Sequence, residues 1–254
     1  MVENGVNMKS DLDRLMIESN VDAFLVVGPA QHNPAMFYLT GGGHITNADL
    51  VKKVGELPVL FHGPMERDEA AKTGLITCSY DQFQFSDYLK KTNHNQIDAY
   101  ALRYRDQLLR AGLEKGTIAL YGSTEIGPKF AIFQRLQQLF PQYQITGMVP
   151  DSIFLRAMMV KDSVDIERIR KMGVITTQVV HKVFNFLSEQ KVKDNILIRN
   201  DGSQLTIGHV KSKINLWLAE AGAENPEQTI FAIGRDAGVP HSQGNDSDVI
   251  ELGK

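Results

Sequence analysis

Histidines and carboxylates are the side chains most able to do chemistry here, and they are sparsely placed. The seven histidines are His32, His44, His62, His94, His181, His209 and His241. Two imidazoles reach one zinc when they stand four residues apart on a helix. No pair in this sequence has that spacing. His181 and His209 fall inside helical patterns and read as structural. His241 lies in Gly234-Arg-Asp-Ala-Gly-Val-Pro-His-Ser-Gln-Gly-Asn245, a polar loop that follows an apolar run. Loops carried by a rigid sheet often hold reactive groups, and a histidine there can donate a hydrogen bond or move a proton near neutral pH. The plain alternative, an ordinary loop histidine, stands beside that reading. Asp246 and Asp248 could offer two oxygens to a hard cation. No further Glu or His cluster accompanies them, so they read as solvated loop acids.

Two glycine-containing stretches carry weaker signals. Gly41-Gly42-Gly43-His44 fits neither the phosphate-binding G-x-x-x-x-G-K-[ST] pattern nor G-x-G-x-x-G, and reads as a flexible turn. Gly122-Ser-Thr-Glu125 lacks the second glycine of a serine nucleophile elbow.

These residues must be positioned by a chain of 254 residues with 43% hydrophobic and 22% charged side chains. Such a length suits one large domain or two ordinary ones, with enough core to need no staples. Cys78 is the sole cysteine, so an intrachain disulfide is impossible. Formal net charge is -3, from 27 basic and 30 acidic residues, and no basic run is interleaved with aromatics. Nucleic acid is therefore not an expected partner. No apolar stretch approaches the ~20 residues of a membrane span, and the N-terminus lacks the apolar run of a secretory signal. A cytoplasmic protein without a membrane partner is expected.

Short apolar runs bounded by turn residues predict strands at 22–28, 36–40, 58–62, 117–121 and 143–147. Helical spacing predicts helices at 9–19 (with Ser10 as its cap), 66–72, 97–111 and 128–140. Strands alternating with helices indicate a layered α/β domain. The pattern changes near residue 160. Asp162 is placed to cap a long helix whose inward stripe would be Ile166, Ile169, Gly173, Thr176, Val180, Phe184 and Leu187. A second helix is expected at 206–221, turning Ile207, Val210, Ile214, Trp217 and Leu218 inward. A strand is expected at 228–234. The domain boundary falls between Pro150 and Asp162, dividing the chain into 1–155 and 156–254. Two helices and one strand cannot close a core, so the second part reads as incomplete.

Five segments, in order, resemble the creatinase, prolidase and aminopeptidase P superfamily. Phe37-Tyr-Leu-Thr-Gly41 resembles a motif of its N-terminal domain. Lys161-Asp-Ser-Val-Asp-Ile-Glu-Arg-Ile-Arg170 is similar to the helix that opens its pita-bread catalytic domain. Leu205-Thr-Ile-Gly-His-Val-Lys211 resembles the start of the next helix. The segment from Ala232 to Asn245 resembles its histidine loop, and Val249-Ile-Glu-Leu-Gly253 the turn before the first metal-bearing strand.

The resemblance implies a creatinase-like mixed sheet flanked by helices, followed by part of a pita-bread α+β domain. It implies cleavage of peptides next to proline with two divalent metals such as manganese, and a homodimer. His241 matches the histidine that contacts substrate. The family's metal ligands lie beyond that loop, so the chain is expected to stop before them, to bind no metal pair and to be inactive alone. The alternative is a non-catalytic relative, since the same fold also serves metal-free chemistry and peptide- or protein-binding modules.

Overall fold

The computed structural model describes residues 11–149 and 153–253. The chain parts into two units, Met1–Val160 and Lys161–Lys254. In the first, the order is α1 (Asp11–Glu18), β1 (Ala23–Val27), α2 (Pro34–Thr40), β2 (Ala48–Lys53), β3 (Val59–His62), α3 (Arg67–Lys72) and β4 (Ile76–Ser79). There follow α4 (Phe85–Lys91), α5 (Gln96–Arg110), β5 (Gly116–Gly122), α6 (Ile126–Leu139), β6 (Tyr143–Thr146) and α7 (Ile153–Met159). The second unit holds α8 (Ser163–Ser188), β7 (Lys191–Lys193), β8 (Ile196–Ile198) and α9 (Ile207–Glu220).

Six strands form one mixed sheet in the order β4-β3-β2-β1-β5-β6. β1 runs antiparallel to β2 and parallel to β5, and β5 is parallel to β6. The central strand Ala-Phe-Leu-Val-Val is buried at every position, because helices cover both of its faces. Ala23, Leu25 and Val27 join Tyr104, Leu108, Phe133 and Leu136 from α5 and α6. Phe24 and Val26 join Leu15, Met36, Leu39 and Phe154 on the other face. The expected α/β architecture is therefore present, as a mixed sheet flanked by helices.

Two local expectations are corrected. Met36–Thr40 is helical, as part of α2. Asn33 accepts the Met36 N–H, Pro34 starts the helix with φ already suited to it, and Gly41 ends it at φ +75°. The Gly41–Gly43 turn thus follows a helix. Residues 228–234 form no strand. A strand needs a partner for its N–H and C=O groups, and the small β7-β8 sheet takes its extra bridges from Gln204 and Glu251 instead. Ser10, expected to cap α1, lies outside the described residues.

In the second unit Asp162 caps α8 as expected, its Oδ1 accepting the Asp165 N–H at 2.8 Å. The buried stripe of α8 differs from the expected one. Ile175 and Val179 are buried, and Val183, Phe186 and Leu187, the last as expected, pack against the cluster that holds Val179. Ile166, Ile169, Val180 and Phe184 are exposed. α9 turns Ile207, Val210 and Ile214 inward as expected.

Candidate functional site

The His241 loop hangs from the first turn of α9. That turn has free backbone N–H groups, as every helix start does. Loop carbonyls take them: Ile207 N–H donates to Asp248 O at 3.0 Å, and Gly208 N–H to Asp246 O at 3.0 Å. The approach is close enough that a Cβ on Gly208 would stand 2.9 Å from Asp246 Cβ. Gly244, at φ +67°, leaves no room either, because its Cβ would meet Ile207 Cδ1 at 2.8 Å. Bridges between Thr206 and Val249 and between Ile196 and Glu251 extend the anchorage. α9 is itself locked by a capping box. The Thr206 hydroxyl accepts the His209 N–H at 3.5 Å, and His209 Nδ1 accepts the Thr206 N–H at 3.2 Å. His209 therefore has the structural role expected of it.

His241 itself is exposed, in a turn after the 3-10 segment Asp236–Gly238. Its φ of +62° is left-handed, which few non-glycine residues adopt. Asp246 and Asp248 are committed within the loop's own framework. Lys211 Nζ donates to Asp246 Oδ1 at 2.9 Å, while Asp248 Oδ2 accepts from both the backbone N–H and the side-chain amide of Asn245, each at 3.3 Å. Among the described residues no group of three or more His, Cys, Asp or Glu side chains gathers as a metal would require. A two-metal centre needs several carboxylates free to bridge two ions, and Asp246 and Asp248 are each bonded to Lys211 or Asn245.

A second polar assembly sits in the first unit, and no sequence pattern pointed to it. Asp49 on β2 is buried between apolar neighbours. Its carboxylate accepts from Tyr80 Oη at 2.7 Å, Tyr104 Oη at 2.9 Å and Gln107 Nε2 at 3.5 Å. Lys129 Nζ donates to Tyr104 Oη at 2.5 Å and lies 3.9 Å from Asp49 Oδ1. The Arg103 guanidinium stacks 4.7 Å from the Tyr80 ring centre and 5.0 Å from that of Tyr100. Burial, ahead of the Asp49 charge, pushes both the Tyr80 and Tyr104 phenols well above their ordinary range. Burial also lowers the Lys129 ammonium, opposed by Asp49 and reinforced by Arg103. The available signal was the single Asp inside Ala48-Asp-Leu-Val51.

No protein-family model and no curated protein matches the sequence. Solved structures do. X-Pro aminopeptidase from Thermotoga maritima MSB8 overlays 96% of the chain and 57% of its own length, with a TM-score of 0.56 at 21% identity. A dipeptidase from Pyrococcus horikoshii OT3 overlays 94% of the chain and 57% of its own length, with a TM-score of 0.61 at 16% identity. The chain has the fold of the Xaa-Pro peptidases. It spans under two thirds of the length of those two structures. The same fold is met in the N-terminal domain of FACT complex subunit SPT16 from Cicer arietinum, with a TM-score of 0.52 at 11% identity over 96% of this chain and 59% of that one. Identities this low establish the Xaa-Pro-peptidase fold and leave the chemistry to be argued from the site.

Proposed function

We propose that this chain is part of a proline-specific metallopeptidase, of the Xaa-Pro dipeptidase or aminopeptidase P kind, that hydrolyses the bond next to proline in small peptides. The observation that supports this best is the overlay of 96% of the chain on an X-Pro aminopeptidase. It agrees with the five sequence segments that resemble the superfamily in the same order. In this reading the two divalent metals, manganese by expectation, are held by residues outside this chain, as the resemblance of its segments to the family implies. The protein is a cytoplasmic homodimer. His241 contacts the substrate from its exposed turn, where it can donate a hydrogen bond or carry a proton.

The test compares the 254-residue chain with a longer protein that contains it, using Xaa-Pro dipeptides and Xaa-Pro-Pro peptides with manganese. Turnover and a bound metal pair are expected only in the longer protein. Turnover by the 254 residues alone would overturn the assignment of the ligands. In the longer protein, His241→Ala is expected to cut turnover by about 10²–10³-fold with metal content unchanged, as for loss of one donor aimed at the reacting centre. Metal loss in that variant would place His241 among the ligands instead.

One observation favours a second reading, a peptide- or protein-binding module without catalysis: the fold is shared with an SPT16 domain. Saturable binding of proline peptides by the longer protein, with no metal-dependent cleavage, would select it.

A further inference from the structure

The first unit contains a cleft unrelated to the His241 loop. It holds about 530 Å³, within the range of small-molecule sites. Its floor is the carboxyl ends of three parallel strands, reached through Val27 of β1, Gly122 of β5 and Thr146 of β6. That is where open α/β sheets bind ligands, because the chain leaves the sheet there and opens a crevice. One wall is α6, whose Phe133 is buried while Ile126 and Phe130 stand exposed at 82% and 64%. Exposed apolar residues beside a concave apolar wall mark a contact surface rather than scattered surface hydrophobes.

Among the described residues, Lys129 is the one charged residue lining the cleft. Its ammonium has three donors, and the structure places one of them on Tyr104 Oη. Asp49, its nearest carboxylate at 3.9 Å, is already satisfied by Tyr80, Tyr104 and Gln107. Arg103 adds a second cation whose field reaches Lys129. Lys129 beside Asp49 and Arg103 over the Tyr80 and Tyr104 rings thus bring two positive charges to this cluster, which favours a further negative charge on the Lys129 side. Half-buried charge left unbalanced is costly, so a complementary anion is well rewarded there.

We propose that this cleft binds a small amphipathic monocarboxylate, its apolar body against Phe130, Phe133 and Ile145 and its carboxylate on Lys129 Nζ. The site belongs to the first unit and does not depend on the peptidase reading. Its ligand is distinguished from a merely greasy one by the charge requirement.

The test uses the isotope-labelled 254-residue chain, titrated with naphthalene-2-carboxylate and with naphthalene-2-carboxamide and followed by amide chemical shifts. The carboxylate is expected to shift Gly122, Thr146 and Gly147 saturably, and to bind about 10–100-fold more tightly than the carboxamide, as one charge-assisted hydrogen bond would give. Lys129→Met should bring the carboxylate down to the carboxamide's affinity. Because that change also disturbs the Asp49 cluster, a second variant acts from the rim. Gly147 lines the cleft, and a Cβ there meets no atom within 4 Å. Gly147→Phe should therefore fold normally, with an unchanged melting temperature, and abolish binding. Absence of saturable shifts at those three residues would overturn the proposal. So would equal affinity for the two probes, or undiminished binding in Gly147→Phe.

Discussion

The central strand of the first unit and the long helix of the second solve the same problem differently. β1 is buried at all 5 of its positions, whereas α8 buries only Ile175 and Val179 among its 26 residues. A strand between two helical layers gains core on both faces, and its stability comes from burial. A helix with one narrow buried stripe depends more on its caps and on its own backbone hydrogen bonds. The aromatic residues divide in the same way. All seven tyrosines, Tyr38 to Tyr143, lie in the first unit, and the sole tryptophan, Trp217, lies in the second. Tyrosine and tryptophan signals therefore report on the two units separately.

The largest effect should come from the doubly covered strand. Phe24 is fully buried and meets Phe154 and Tyr121 edge-on, with ring centres 4.9 and 6.2 Å away. Phe24→Ala is expected to cost about 3–5 kcal/mol, read as an early loss of the tyrosine near-ultraviolet signal in urea. The tryptophan fluorescence transition should stay where it was. Equal movement of both signals would mean that the two units unfold as one, and the comparison would fail.

Alkaline pH should separate the units next. Burial raises the phenols of Tyr80, Tyr104 and Tyr143 above the ordinary value of 10. A group whose folded pKa is raised contributes stability that is complete below its unfolded pKa and is lost as pH climbs above it. The first unit should therefore weaken steadily above pH ~10. Lys129, whose ammonium is lowered, works in the opposite sense but is one group against several. Phenolate absorbance should rise late and together with loss of the first unit's structure. Ionisation of all seven tyrosines near pH 10 with the fold intact would contradict the buried network.

The same contrast explains what could be read from sequence. Buried strands such as 58–62 and 117–121 were legible because short apolar runs between turn residues have few alternatives. Met36–Thr40 has the same apolar look, yet Asn33-Pro34 before it and Gly41 after it favour helix. Length and composition alone do not weigh those end signals. β2 was missed because Asp49 and Lys52 interrupt its pattern, and both are buried only through tertiary partners: Asp49 through its tyrosines, Lys52 through Asp13. On α8 two apolar stripes share one helical period, and periodicity cannot choose which of them finds a neighbour. The His241 loop was legible from residue types. Its anchorage on the first turn of α9 was not, because backbone carbonyls make those bonds and every residue has one. The Lys129 cleft joins residues from β1, β5, α6 and β6, which are adjacent only after folding.

Cap removal should have a middling effect, confined to the second unit. Thr206→Ala takes away the hydroxyl acceptor at the start of α9, which is one half of the capping box, and leaves the His209 half in place. About 1 kcal/mol is expected, seen in the Trp217 transition, since Trp217 lies on the same helix and packs at 6.0 Å from Phe186. A shift in the tyrosine signal with none in tryptophan would contradict the placement of that cap.

The smallest effect concerns His241. Its left-handed φ of +62° costs a non-glycine residue roughly 1 kcal/mol, and its side chain is exposed. His241→Gly relieves that strain but gives back about 0.5–1 kcal/mol through the greater freedom of glycine in the unfolded chain. The two nearly cancel, so the Trp217 transition should move by less than about 0.5 kcal/mol. The loop's position would be kept, because its anchors are the carbonyls of Asp246 and Asp248 and the packing of Gly244 on Ile207. A loss well above 1 kcal/mol would show that the imidazole holds the loop together, and would return His241 to the plain structural reading. Near-neutral stability would instead mean that the turn is held by its backbone anchors without the imidazole.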